Sequence, residues 1–175
     1  MKMVREEGAV RAEMVRACVF DFGGVMTAPA DRHADLPTEL QGLLGFYLDE
    51  VKTWYHETSQ DHEIHRMETG QLALDGYFAS LCQRYGEATS IYLDPVEARH
   101  RVFPGFDPCQ EMVDVVARLR ASGFATALLT NMGREDAPVW RRVLGSDVER
   151  LFDTVVDSSD VGVRKPNPKI YALPQ

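Results

Sequence analysis

The chain has 175 residues, 45% of them apolar, with a formal net charge of −8 at pH 7 and a pI near 5.1. That size supports one sizeable core, or a core with a small second lobe. The acidity leaves no broad basic face, which excludes a general nucleic-acid surface; an anionic substrate would need a local positive site. Cys18, Cys82 and Cys109 are widely spaced with no C-x-x-C pair. They read as free thiols in a reducing, cytoplasmic compartment and argue against structural zinc. No apolar run is long enough to span a membrane, and Met1–Glu7 lacks the apolar core of a secretory signal. Residues 1–13 are expected to be a flexible, charged extension, with Met14 just ahead of the first strand.

The first element in chain order is the short apolar run Ala17-Cys18-Val19-Phe20, which ends at Asp21 and is followed by Gly23 and Gly24. A run of four to eight apolar residues bounded by glycine suits a buried strand. Asp21 then stands at the strand's carboxyl end, where open α/β sheets place their ligands. A plain turn aspartate closing an ordinary strand is the competing reading, and it has to be weighed against the later stretches.

Ala28-Pro29-Ala30-Asp31 breaks the chain. Leu40, Leu43, Leu44, Tyr47 and Leu48 then recur at helical spacing, and His56 to His65 form a polar helical segment. His62-x-x-His65 has metal-ligand spacing, but a solvated helix face is the favoured reading. Leu74, Tyr77, Phe78, Leu81, Cys82 and Tyr85 predict a stronger packed helix that stops at Gly86. Arg99, His100 and Arg101 make a small basic spot, read as surface. Beyond Phe103, Asp107 is expected to cap a helix with Pro108 at its first position and Gln110 at its third, carrying Met112, Val115, Val116 and Leu119 to a stop at Gly123. Ala125 to Leu129 predicts a second buried strand, which stops at Thr130-Asn131. Ala137 to Leu144 predicts a helix with Pro138 in its first turn. Phe152 to Val156 predicts a third strand, followed by Ser158-Ser159-Asp160 and Gly162-Val163-Arg164-Lys165-Pro166. Asp160 is a weak candidate for orienting that last loop, Arg164 is expected to be an exposed partner of a carboxylate, and Cys109 is left structural.

Alternating strands and helices predict a parallel α/β sheet. One strand–helix–strand step takes roughly 30 residues. Thr130 to Lys165 is one such step, whereas Asp21 to Thr130 is far too long. The surplus, residues 30–103, is helix-rich and reads as a lobe inserted over the site, leaving 14–29 and 104–175 as the core. The strand ends then present the Asp21 carboxylate, the Thr130 hydroxyl with Asn131, and the Lys165 ammonium on one edge. Phosphoryl transfer wants this set: a carboxylate that attacks phosphorus, groups that hold phosphate oxygens, and a cation that neutralises charge.

These stretches resemble the haloacid dehalogenase-like (HAD) hydrolase superfamily. Phe20-Asp21-Phe22-Gly23-Gly24-Val25 is similar to its first motif, Leu128-Leu129-Thr130-Asn131 to its second, and Gly162-Val163-Arg164-Lys165-Pro166 to its third. The resemblance covers about residues 15–175 and implies a Rossmann-like core with an α-helical cap. It further implies Asp21 as nucleophile, Thr130 and Asn131 as phosphate-holding residues and Lys165 as the charge-stabilising lysine. Mg²⁺ would be held by Asp21 and the Gly23 carbonyl. The implied activity is hydrolysis of a small phosphorylated metabolite through an aspartyl-phosphate.

Two departures matter. Many family phosphatases carry a second aspartate, the leaving-group acid, where this chain has Gly23. The acidic fourth motif, one further step past Lys165, is absent from these residues. The nucleophile strand is therefore expected at an open edge, so the chain is expected to be a C-terminal truncation or to cover that edge with a second copy as a homodimer. A 2-haloacid dehalogenase, in which an aspartate attacks carbon, is one alternative function; a catalytically inactive HAD-like domain is another.

Overall fold

In a computed structural model, residues 16–27, 35–54, 62–102, 106–135 and 138–173 are described. The expected extension at 1–13, the Pro29 breaker, His56 and Ala137 lie outside them. Three short apolar runs pair in parallel: β1 (Ala17–Phe20), β2 (Ala125–Thr130) and β3 (Thr154–Asp157), in the spatial order β1-β2-β3. Phe20 lies opposite Leu128, and Thr130 lies opposite Asp157. All three strands therefore end on one edge, and the residues that leave them are Asp21, Asn131 and Ser158. β2 is the central strand and is buried from Thr126 through Thr130. β1 is an edge strand among the described residues, with Val19 54% exposed.

Parallel strands require crossovers. Between β2 and β3 the chain forms α6 (Val139–Leu144) and α7 (Val148–Leu151). Between β1 and β2 it forms α1 (Thr38–Trp54), α2 (Glu63–Glu68), α3 (Leu74–Thr89), α4 (Pro95–Val102) and α5 (Gln110–Ala121). After β3 come one helical turn, α8 (Ser158–Val161), and a 3₁₀ turn at Pro168–Ala172. The result is an α/β fold. No helix among the described residues is long and apolar enough to cross a membrane.

The buried apolar residues fall into separate clusters. One draws only on residues between Leu36 and Val102, with Leu43, Tyr77 and Leu81 fully buried. A second packs Phe22 and Met26 with Val116, Leu128, Trp140 and Phe152 beside the sheet, and a small third joins Leu129, Val156 and Ile170. Phe22 and Met26 are fully buried, and Phe22 meets Phe106 edge-on at 5.8 Å. Burying a side chain of this size contributes about 1.5–3 kcal/mol, so the turn that follows Asp21 is anchored on both sides of its glycines.

Several local expectations are corrected. The helix expected to stop at Gly86 continues to Thr89 and closes on Ser90 in the left-handed region (φ 64°); Gly86 sits inside it, against Tyr92. The helix expected from Asp107 begins at Gln110. Pro108 instead bridges Thr27 in extended conformation, and the Cys109 N–H donates to the Met26 carbonyl at 2.9 Å, so this stretch is tied to the first turn before the helix starts. His62 and His65 form neither a solvated face nor a ligand pair. His65 is fully buried with Nε2 2.8 Å from the Trp54 carbonyl, and the His62 ring stacks on Trp54 at 4.4 Å.

Candidate active site

The strand edge is built from the bottom up by short-range bonds. Asp21 leaves β1 in extended conformation (φ −81°, ψ 158°), and its Oδ1 accepts from the Phe22 N–H at 2.7 Å. Gly23 is extended, and Gly24 adopts φ 73°, ψ 0°, which glycine tolerates without strain. The Gly24 N–H then donates to the Thr27 hydroxyl at 2.9 Å. The sequence Asp-Phe-Gly-Gly thus turns sharply while Phe22 is driven into the core and the Asp21 carboxylate stays at the rim, 45% exposed.

Lys165 reaches the same point from the loop after β3. Its Nζ lies 2.7 Å from Asp21 Oδ1 and donates to the Leu129 carbonyl at 3.1 Å. Lys165 is 15% exposed, so its charge is screened less than that of a surface lysine. Both donors use Asp21 Oδ1, and Oδ2 takes no bond from the described residues. One carboxylate oxygen is fixed and the other is free to react.

Asn131 locks the loop that carries Lys165. Its Oδ1 accepts from the Lys165 N–H at 2.9 Å, and its Nδ2 donates to the Lys165 carbonyl at 3.1 Å. Thr130, 1% exposed, ends β2 immediately before it. No described residue hydrogen-bonds the Thr130 hydroxyl. The structure therefore brings Asp21, Asn131 and Lys165 into one bonded chain, with Thr130 on the adjacent strand end and Gly23 in the turn beside Asp21.

Two residues at this edge escaped the sequence reading. Asp157, not Asp160, orients the loop after β3: its Oδ1 accepts from the N–H and hydroxyl of Ser159, and its Oδ2 from Trp140 Nε1 at 2.8 Å. Burial pushes its carboxyl above the ordinary aspartate value, partly offset by these bonds. Asp160 is exposed. Glu68, the last residue of α2, reaches down to the core. Its Oε2 pairs with Arg164 Nε and lies 3.4 Å from Asn131 Nδ2. Arg164 is thus 5% exposed rather than a surface residue. Burial pushes the Glu68 carboxyl above its ordinary value, although Arg164, His65 and Lys165 oppose the shift.

The helical segment touches the sheet edge at further points. The Ser158 hydroxyl donates to the Glu68 carbonyl and accepts from the Met132 N–H at 3.1 Å. Gly70, at φ 71°, lies so close that an added Cβ would stand 2.3 Å from the Ser159 carbonyl oxygen. On the other side, Glu135 is paired with both Arg99 of α4 and Arg142 of α6. Arg99 also pairs with Asp75, so it is part of this contact rather than plain surface. Between the two contacts lies a cavity of about 390 Å³, walled by Asn131 on the sheet side and by Tyr47, Glu68 and Tyr77 on the helical side.

No group of three or more His, Cys, Asp or Glu side chains converges as a metal site among the described residues. Among the described residues, Asp21 offers this rim a carboxylate with an oxygen to spare, beside a glycine turn. Magnesium takes hard oxygen ligands and commonly uses one or two carboxylates, completed by waters and substrate phosphate. The chemistry of the donor set fits that ion.

Comparison with known proteins agrees with this geometry. The chain is 26% identical over 169 residues to bifunctional epoxide hydrolase 2 of Sus scrofa, a match covering 91% of this chain and 30% of that protein. It therefore spans less than a third of that relative's length. A HAD family enzyme of Bacteroides thetaiotaomicron, solved with magnesium and inorganic phosphate, superposes with a TM-score of 0.55 at 15% identity, covering 91% of this chain and 76% of that one. An L-2-haloacid dehalogenase superposes with a TM-score of 0.56 at 19% identity, covering 91% and 70%. The parallel sheet and its surrounding helices are thus those of the Rossmann-like HAD core. The model of the haloacid dehalogenase-like hydrolases matches residues 15–173, nearly the whole chain, and the protein belongs to that family.

Proposed function

We propose that this hydrolase is a magnesium-dependent phosphatase of a small phosphorylated metabolite, working in the cytoplasm, with Asp21 as nucleophile. The observation that carries the reading is the Asp21–Lys165 pair at 2.7 Å on the carboxyl edge of the sheet, with Oδ2 free. The substrate phosphoryl group sits above that edge. Thr130 donates its hydroxyl to a phosphoryl oxygen, and Asn131 holds the Lys165 loop in register. Asp21 Oδ2 attacks phosphorus, and Lys165 neutralises charge on the carboxylate and on the transferring group. The Asp21 carboxylate and the Gly23 carbonyl are the donors offered to Mg²⁺, which when bound screens the repulsion between carboxylate and phosphate.

The test is turnover of p-nitrophenyl phosphate with Mg²⁺ by the wild-type chain and by Asp21→Asn. Activity is expected to vanish in the variant. Undiminished, magnesium-dependent activity refutes the nucleophile.

A second reading, dehalogenation of a 2-haloacid, is favoured by Gly23 in place of a second acid. There Asp21 attacks carbon and halide leaves without a metal. Halide release that ignores chelators supports it, and dependence on magnesium counts against it. Failure of beryllium fluoride with magnesium to occupy the Asp21 site points instead to an inactive domain. The expected homodimer through the free edge of β1 belongs to the same proposal. A monomer mass that does not change with concentration rules it out.

A further inference from the structure

The phosphatase reading leaves one proton without a source, because the position two residues after the nucleophile is Gly23. We infer that Glu68 is a further catalytic residue, the acid that protonates the leaving group. The inference rests on the proposed attack by Asp21 and on four features of the site.

The first is direction. In-line displacement expels the leaving oxygen on the side of phosphorus away from Asp21. The cavity between the sheet edge and the helices is walled by both Asn131, which grips the Lys165 loop, and Glu68, so a leaving group directed into it meets Glu68. The second is anchorage. Oε2 is held by Arg164 and lies 3.4 Å from Asn131 Nδ2, which itself grips the Lys165 loop. Glu68 is thereby tied to the group that contacts Asp21. Oε1 takes no bond from the described residues, so one oxygen is fixed while the other is available to carry a proton. The third is exclusion of rivals. Glu135, the other carboxylate of the cavity, has Oε1 engaged by Arg99 and Oε2 by Arg142, so neither oxygen is spare. Tyr47 and Tyr77 are buried phenols pushed well above the ordinary tyrosine value, poor proton donors to an alkoxide. His100, which also lines the cavity, is exposed.

The fourth is the local field. The titratable and charged groups around Glu68 are Arg164 and Lys165 from the loop after β3, His65 from α2 and Tyr47 from α1. Burial outweighs the cations and raises the carboxyl, the direction a general acid near neutral pH requires.

The steps balance. The Asp21 Oδ2–P bond forms as the bond from phosphorus to the leaving oxygen breaks, and that oxygen takes the Glu68 proton to depart as an alcohol. A water then attacks phosphorus, giving its proton to the Glu68 carboxylate, as the bond to Asp21 breaks and phosphate leaves.

The test compares two substrates of different leaving-group basicity, p-nitrophenyl phosphate and phenyl phosphate, on the full chain with Mg²⁺. An acid matters most for the more basic leaving group. In Glu68→Gln, kcat/KM on phenyl phosphate is expected to fall by about 100-fold or more, a far larger loss than on p-nitrophenyl phosphate, whose departing oxygen needs the acid least. The pH–rate limb that reports the acid should vanish with phenyl phosphate, and Glu68→Asp, which keeps a carboxyl, should restore it in part. Equal loss on both substrates reduces Glu68 to a contact between helices and sheet and overturns the assignment. So does a selective loss in His100→Ala with none in Glu68→Gln. Asp21→Asn separates the two readings: it must silence both substrates, and if it does not, the nucleophile fails independently of the acid. A carbon-13 carboxyl titration reads Glu68 without turnover; a value at or below that of an ordinary glutamate also overturns the inference.

Discussion

The pairing of Glu68 with Arg164 makes a quantitative prediction. Their side chains are 18% and 6% exposed. Removing one partner of a buried pair strands the other charge and typically costs about 3–5 kcal/mol. Replacing both with apolar residues of similar volume removes the stranded charge and is often close to neutral. Arg164→Leu and Glu68→Met should therefore each lower stability by about 3 kcal/mol, a fall of about 6–12 °C in Tm for a chain of this size. The double variant should lie within about 1 kcal/mol of wild type. Urea unfolding followed by tryptophan fluorescence measures all four corners of the cycle. The pH dependence fixes the sign. Burial raises Glu68 above its ordinary value of 4.5 in the folded state, so the native protein binds more protons than the unfolded chain. The stability associated with this group is present in full below pH 4.5 and is lost as pH rises through the raised value. Arg164→Leu removes an opposing cation and should recover stability on acidification more than wild type does. Additive losses in the double variant, or a loss in Arg164→Leu that is the same at pH 5 and pH 8, would show that the charges are not coupled through a buried contact.

Two further outcomes follow from the same edge. Gly70→Ala places a Cβ against the Ser159 carbonyl oxygen at φ 71°; the left-handed strain alone costs about 1–2 kcal/mol. Urea midpoints should fall by more than that, and a change under about 0.5 kcal/mol would mean that the helices do not sit this closely on the loop. Lys165→Met removes the cation beside Asp21, and because Asp21 is 45% exposed the effect on stability is expected to be under about 1 kcal/mol. The kcat/KM on p-nitrophenyl phosphate should nonetheless fall by about 100- to 1,000-fold; a stability loss with no rate loss would reverse the assignment.

How much of this was legible in the chain depends on distance along it. The strand ends at Asp21 and Thr130, and the loop bearing Lys165, could be read because each motif is local: an apolar run, a stop, and one polar group. The paired role of Asn131 was half legible, since its position beside Thr130 is local but its grip on Lys165 is not. Glu68 was missed because its partner Arg164 lies 96 positions away; nothing nearby separates it from a solvated glutamate at a helix end. Its one local cue was Gly70, two residues on, which reports a close backbone approach. His65 was misread because a histidine at a buried helical position scores as polar, and only the Trp54 carbonyl explains why it is inside. The start of α5 was misplaced because the Asp107-Pro108 cap signal is overridden by pairing of Pro108 with Thr27.

The two bonds between the Asn131 side chain and the Lys165 backbone deserve a structural name. An amide that both gives and accepts across a gap imitates a peptide unit, so the sheet is in effect prolonged by one rung past the place where its strands separate. The Lys165 amine beside Asp21 therefore inherits the stiffness of the framework beneath it. Such a rung keeps Asp21 and Lys165 in register from the sheet side, separately from the contacts that the helices make above them.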